Sequence, residues 1–347
     1  MAKHVNARGK AQKSDWASRL TKHVRKYLIL YTLLAVFIAV FVGYYTKSFA
    51  SSHAQLFSNL VILFAIMTIY PSMIQLKSEG FVRELKSWKL IITSLVYVFV
   101  LAPVAAFVIA PSLGSSVGAG FVISNVVPAS SASLGYVLIA GGSIELATAL
   151  AIMSLIIAVP AIPIILGLYS SHTSIAIPVG PVMLSILYIL ILPLIVGQIT
   201  RYLLIKWKNE TVVENGSKKY LSLITMLSML ALIFVLVDKE AALIISTPQL
   251  VGYLIGYQSA IIVGVLALSI IVSRLMRITY EKHQAVAFIS VTKNQSVAAA
   301  IAIFALNSEA ALAPAVIPMI QPILAVVYIH LESVVKRILT PITSKQQ

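Results

Sequence analysis

One run of the sequence sets a cation among amides and hydroxyls with apolar chain on either side: Val291-Thr292-Lys293-Asn294-Gln295-Ser296, inside Ala285–Leu306. Counting from Ala285, Lys293 lies about 12 Å along a helix at ~1.5 Å per residue. The hydrocarbon half-thickness is roughly 15 Å, and a lysine stem of about 6 Å does not easily reach back to water from there. A cation at that depth costs roughly 2.5–3.5 kcal/mol, so it is expected to face protein or a wet cavity and to act there. The plainer alternative is a lysine that only pairs helices. A second polar run, Ser124-Asn125-Val126-Val127-Pro128-Ala129-Ser130-Ser131-Ala132-Ser133, interrupts another apolar segment at matching depth.

The elements that carry these runs are membrane spans. Hydrophobic residues make up 59% of the 347-residue chain and charged residues 11%, less than half the ~25% charged content of a soluble domain. Ten spans are predicted: Tyr27–Tyr45, Leu56–Leu76, Trp88–Ala110, Gly118–Ala140, Ile144–Leu168, Val179–Leu204, Tyr220–Val237, Leu250–Val272, Ala285–Leu306 and Ala311–Val334. With the N-terminus inside, the inner loops hold eight, four, five, three and three Lys or Arg, twenty-three in all, against only Lys47 and Lys239 outside. That asymmetry predicts a multi-pass protein of the cell membrane with both termini cytoplasmic. It also accounts for the net charge of +15 without nucleic acid as a partner. Within the basic tail, a short helix from Ser14 with Trp16, Leu20, Val24 and Tyr27 near one face reads as an interfacial helix touching anionic lipid. Cysteine is absent, which removes disulfides, thiolate catalysis and Cys-based metal sites.

The predicted organisation is a basic tail (1–26) and two five-helix repeats (27–168 and 179–335). An odd number of spans per repeat inverts the second across the membrane. Spans four and nine are then broken near the midplane and run in opposite senses. Ser131 to Ser143 and Ser296 to Ser308 share a spacing of twelve. Unwound backbone in hydrocarbon is tolerable only where protein or a wet cavity surrounds it, so two breaks at one depth define a candidate site. Helix starts near Ser131 and Ser296 would aim N–H groups at an anionic or polar solute, and the preceding helix ends would offer carbonyls to a cation. Ser130, Ser131, Ser133, Asn294, Gln295 and Ser296 supply polar side chains, Lys293 the charge, and Gln321, between Pro318 and Pro322, is a further candidate. Each serine could equally serve close packing. Gly252 and Gly256 read as a packing pair, and Glu145 and Glu309 as solvated helix ends or gate carboxylates. No HExxH, P-loop, GxSxG or GxGxxG signature appears, so neither ATP drive nor an enzyme activity is expected, and no cofactor or metal.

At these residues the chain resembles the superfamily of bile acid:sodium symporters and arsenical-resistance permeases. The likeness is sharpest in Tyr70-Pro71-Ser72-Met73, in Pro128 through Ser143 followed by Glu145-Leu146, and in Asn294 through Ala313. It implies a core and a panel domain drawn from both inverted repeats, with broken helices four and nine crossing. Two departures stand out. Where arsenite permeases carry a cysteine after the segment-four proline, this chain has Ala129, and where they carry a segment-nine carboxylate it has Ser296. The sodium-liganding glutamate of the symporters aligns with Ser290, its glutamine partner with Asn294, and a Ser-Asn pair with Ser133-Leu134.

The expected function is secondary transport of a small anionic or polar organic solute. Protons are the expected coupling ion, taken up and released at Lys293, and sodium is disfavoured by the missing ligands. In this reading the ammonium takes over the ion's electrostatic role by holding the two breaks near their carbonyl ends. The alternatives are a metalloid (arsenite) efflux permease, a sodium-coupled organic-anion importer, and a membrane sensor on a transporter fold.

Overall fold

A computed structural model describes residues 15–76, 81–130, 132–173, 175–210 and 216–339. The described residues form helices α1 (Asp15–Lys26), α2 (Leu28–Ser52), α3 (Ala54–Gln75), α4 (Leu85–Leu113), α5 (Ser115–Val126), α6 (Ala132–Ile139) and α7 (Ile144–His172). They continue as α8 (Gly180–Lys208), α9 (Lys218–Lys239), α10 (Pro248–Leu275), α11 (Tyr280–Val291), α12 (Gln295–Ala305), α13 (Leu312–His330) and α14 (Glu332–Leu339). Among the described residues, eight helices are long and apolar enough to cross a membrane (α2, α3, α4, α7, α8, α9, α10 and α13), and α5 and α12 are shorter apolar helices. The expectation of an all-α, multi-pass membrane protein is met.

The helices pack in two groups. One contains α2, α3, α8 and α9, with α9 lying along α2 and α3; the other contains α4 to α7 and α10 to α13. Half-helix α12 joins them, pressed between α3 and α8 on one side and α5 and α13 on the other. Close approach is local. A methyl group on Gly120 of α5 would sit 1.7 Å from the Ala310 carbonyl oxygen, so only glycine fits there. Gly252 and Gly256 differ from the packing pair read in the sequence, since a Cβ at either would meet open space. Both lie on an exposed flank of α10, which no helix among the described residues covers.

Two spans contain a wide helical turn, Tyr97–Leu101 in α4 and Leu187–Ile191 in α8. In each, the amide after the turn reaches five residues back: Ala102 donates to the Tyr97 carbonyl and Leu192 to the Leu187 carbonyl. The next residues are Pro103 and Pro193, which have no N–H to give. The Val98 and Tyr188 carbonyls are therefore left without a donor from their own helix.

Candidate functional site

Two short unwound stretches interrupt the apolar helices, and they lie against each other. The first separates α5 from α6. Pro128 cannot donate to the helix ladder, and it drives Val127 into extended backbone (φ −71°, ψ 155°). The second separates α11 from α12 without proline or glycine. Thr292 is extended, and the Asn294 side-chain oxygen accepts from the Val297 amide at 3.3 Å, starting the new helix by capping it. Ala129 and Lys293 pair as a single antiparallel bridge. Its flanking bonds run from the Ser130 amide to the Thr292 carbonyl (2.8 Å) and from the Asn294 amide to the Pro128 carbonyl (2.9 Å). Each break thus satisfies the other's buried backbone, as unwound chain in an apolar interior requires.

The outward-facing backbone groups of the bridge are served by side chains. The Lys293 amide donates to Gln321 Oε1 (3.1 Å) and Gln321 Nε2 donates to the Lys293 carbonyl (3.2 Å), so one amide clamps both polar groups of the residue. On the other strand, the Ala129 amide donates to Ser154 Oγ (3.2 Å). Gln321, read from the sequence as a deep amide between two prolines, is thus part of the crossing. Ser154 carried no comparable signal, being one serine in the long apolar helix α7.

Lys293 is 2% exposed. Its Nζ donates to the Val98 carbonyl at 2.7 Å, the orphan left by the wide turn and Pro103, and lies 5.9 Å from the centre of the Phe99 ring. Among the described residues no carboxylate pairs with it. This differs from the expected contact with carbonyls at the breaks. The Thr292 and Pro128 carbonyls already accept from backbone amides and the Lys293 carbonyl from Gln321, so the ammonium turns to the free acceptor in α4. Lysine 293 therefore ties the crossing to a neighbouring span.

The remaining candidates divide. Gln295 Nε2 donates to the Ser124 carbonyl (3.2 Å), bracing the start of α12 against the end of α5, and Ser296 is buried beside it. The Ser130 carbonyl accepts from the amide and hydroxyl of Ser133, and Ser130 Oγ accepts from the Ala132 amide. Several first-turn donors of α6 and α12 are therefore taken by their own caps, leaving fewer N–H groups for an anion than the sequence suggested. Ser131 lies outside the described residues. Three buried side-chain oxygens at the crossing have no hydrogen-bond partner among the described residues: Ser124 Oγ, Thr292 Oγ1 and Gln295 Oε1. Beside them Asn125 and Gln258 of α10 form a reciprocal amide pair (3.0 and 3.3 Å). Nothing in its local sequence singles out Gln258, whose partner lies 133 residues away. Ser290 Oγ stands 3.2 Å from Ser94 Oγ and donates to Val286, so hydroxyls occupy the place where the resemblance puts a charged ligand.

The two half-helices beyond the breaks have different surroundings. Residues Gln295 to Ala302 of α12 are all buried. Helix α6, packed on α7, α11 and α13, leaves Ala132, Gly135, Leu138 and Ile139 exposed on one flank. The α6–α7 turn is tied to the start of α11 by a bond from the Ser143 amide to the Glu281 carbonyl (2.9 Å), and Glu145 and Glu309 are exposed at opposite ends of the assembly. Near Glu309 the buried Glu240, in the turn after α9, has its carboxyl pushed up by burial. The Ser308 hydroxyl and Lys239 oppose that shift, and Glu309 adds to it. Among the described residues no group of three or more His, Cys, Asp or Glu could hold a metal ion.

The architecture is that of a multi-span, all-helical membrane protein in which two interrupted helices meet inside the bundle. The family model of the sodium bile acid symporter family matches residues 60–247, more than half of the chain. The chain belongs to that family, which is one of membrane transporters. The matched stretch takes in the first break and ends before the second, which contains Lys293. No curated protein is similar enough to match.

Proposed function

We propose that this chain is a secondary active carrier of a small anionic or polar organic solute, driven by protons through Lys293. The observation that carries this reading is an ammonium buried at the crossing of both breaks, held by a carbonyl and, among the described residues, without a carboxylate to neutralise it. A buried lysine of this kind can give up its proton and so change the local charge by one unit. The full arrangement would be ten spans in two inverted five-helix repeats, with both termini cytoplasmic. Helices α2, α3, α8 and α9 form the panel, and the group holding both breaks forms the core. Solute would bind between them near Ser130, Ser133, Asn294, Gln295, Ser296 and Gln321, with Ser131 the remaining candidate. The uncovered flank of α6 and the enclosed α12 support a state open towards the N-terminal side. Transport would then alternate by moving the core against the panel.

A second reading, sodium-coupled import, is favoured by the three unpartnered oxygens of Ser124, Thr292 and Gln295. Oxygen donors without charge are what a hard cation accepts. An arsenite permease is disfavoured, because a thiophilic solute has no thiolate to meet in a chain without cysteine. Uptake of a solute panel (carboxylates, sulfonated steroids, arsenite) into proteoliposomes separates the three under an imposed pH or sodium gradient. The proposal expects accumulation that follows the pH gradient and ignores sodium. Accumulation that requires sodium would replace it with the second reading.

A further inference from the structure

The N-terminal helix α1 does not lie against the bilayer with its whole apolar face, as the sequence suggested. Its side chains separate into three stripes. Ala17, Thr21 and Val24, at spacings of four and three, are buried against the start of α9. There Thr21 Oγ1 donates to the Lys219 carbonyl (3.0 Å), and Val24 packs with Leu223 and Met226. The second stripe, Trp16, Leu20, His23 and Tyr27, remains on the outside. Trp16 is 60% exposed and Leu20 40%, and Trp16 meets Tyr220 edge-on at 6.1 Å. The third stripe is basic: Lys22, Arg25 and Lys26 are all exposed.

This stripe order fixes what the helix can meet. Two residues after the end of α1, at Leu28, the first apolar span begins, and α9 starts where α1 is docked. Helix α1 is therefore pinned at the level where chain enters hydrocarbon. An exposed tryptophan and tyrosine beside a leucine suit the boundary between headgroups and acyl chains. Three lysine and arginine side chains on the adjoining face add attraction to negative headgroups. We infer that α1 is a reader of anionic phospholipid: its Trp16–Leu20–Tyr27 stripe enters the interface while Lys22, Arg25 and Lys26 bind the phosphate groups. The first turns of α9 hold it there.

The test uses the full chain in nanodiscs, with Trp88→Phe and Trp207→Phe leaving Trp16 as the one tryptophan of the three. Both replaced residues are exposed. The discs are phosphatidylcholine with one part in about ten replaced by brominated phosphatidylglycerol or, separately, by brominated phosphatidylcholine. Brominated phosphatidylglycerol is expected to quench Trp16 about twofold more strongly, and Lys22→Gln/Arg25→Gln/Lys26→Gln is expected to remove the preference. Unchanged quenching of that variant by brominated phosphatidylcholine certifies that α1 remains docked at the interface. Equal quenching of the starting protein by both lipids, or a preference that survives the triple substitution, overturns the inference.

Discussion

Replacing Gln321 by leucine removes the clamp on Lys293 while leaving the lysine itself in place. The change strands two buried backbone groups, the Lys293 amide and carbonyl, which Gln321 now serves at 3.1 and 3.2 Å. Neither can turn to the bridge partner, because the bonds to the Ala129 strand run from the flanking residues. A buried polar group left without a partner costs about 1–3 kcal/mol in water-soluble proteins. Side-chain hydrogen bonds in membrane bundles are weaker, averaging roughly 0.6 kcal/mol, because the unfolded chain in lipid also finds partners. Two groups therefore bracket the loss between about 1 and 6 kcal/mol, with about 2–4 kcal/mol expected. Ser154→Ala strands one group, the Ala129 amide, and is expected to cost about half as much. Unfolding in bicelles, followed by tryptophan fluorescence, measures both. A Gln321→Leu protein within about 0.5 kcal/mol of the parent, or less affected than Ser154→Ala, would refute the clamp.

The close approach of α5 to the Ala310 carbonyl predicts that Gly120→Ala costs about 1–3 kcal/mol through overpacking. Gly252→Ala, at an open flank of α10, is expected to stay within about 0.5 kcal/mol in the same unfolding assay. For Glu240, burial raises the folded carboxyl above its unfolded value, so the folded state holds the proton more tightly. Its contribution to stability is full below the unfolded value and is lost as pH rises through the folded one. Thermal midpoints taken from about pH 4 to 8 are expected to fall more steeply for the parent than for Glu240→Gln, and parallel curves would contradict the assignment.

Much of this molecule is legible in the sequence because lipid makes polar groups costly. Lys293, Asn294 and Gln295 stand out against apolar neighbours, and the structure places all three at the crossing. Pro128 announces its break by what it cannot donate, whereas the second break has no such residue and shows only as a polar run. The acceptor of the lysine was hidden because it is a backbone carbonyl. Pro103, five residues beyond Val98, was the available hint, and it matters only because the wide turn diverts the Ala102 amide. Gln258 and Ser154 were hidden for another reason: a single polar residue in a long span acquires meaning only when the helix it faces is known. The helical spacing set Val24 on one face with Trp16, and it could not show that Val24 turns inward to α9 while Trp16 stays outside.

The most direct test of the central claim, that Lys293 supplies the coupling charge, compares two modes of transport in one preparation of Lys293→Met. Methionine keeps an unbranched apolar stem of similar length and removes the ammonium that bonds to the Val98 carbonyl. Solute counterflow needs only binding and alternation, whereas uphill uptake under a pH gradient also needs a group that carries the proton. Lys293→Met is expected to retain counterflow and to lose pH-driven accumulation. A variant that still accumulates solute in response to the pH gradient would contradict that claim and leave Lys293 as a tether between helices.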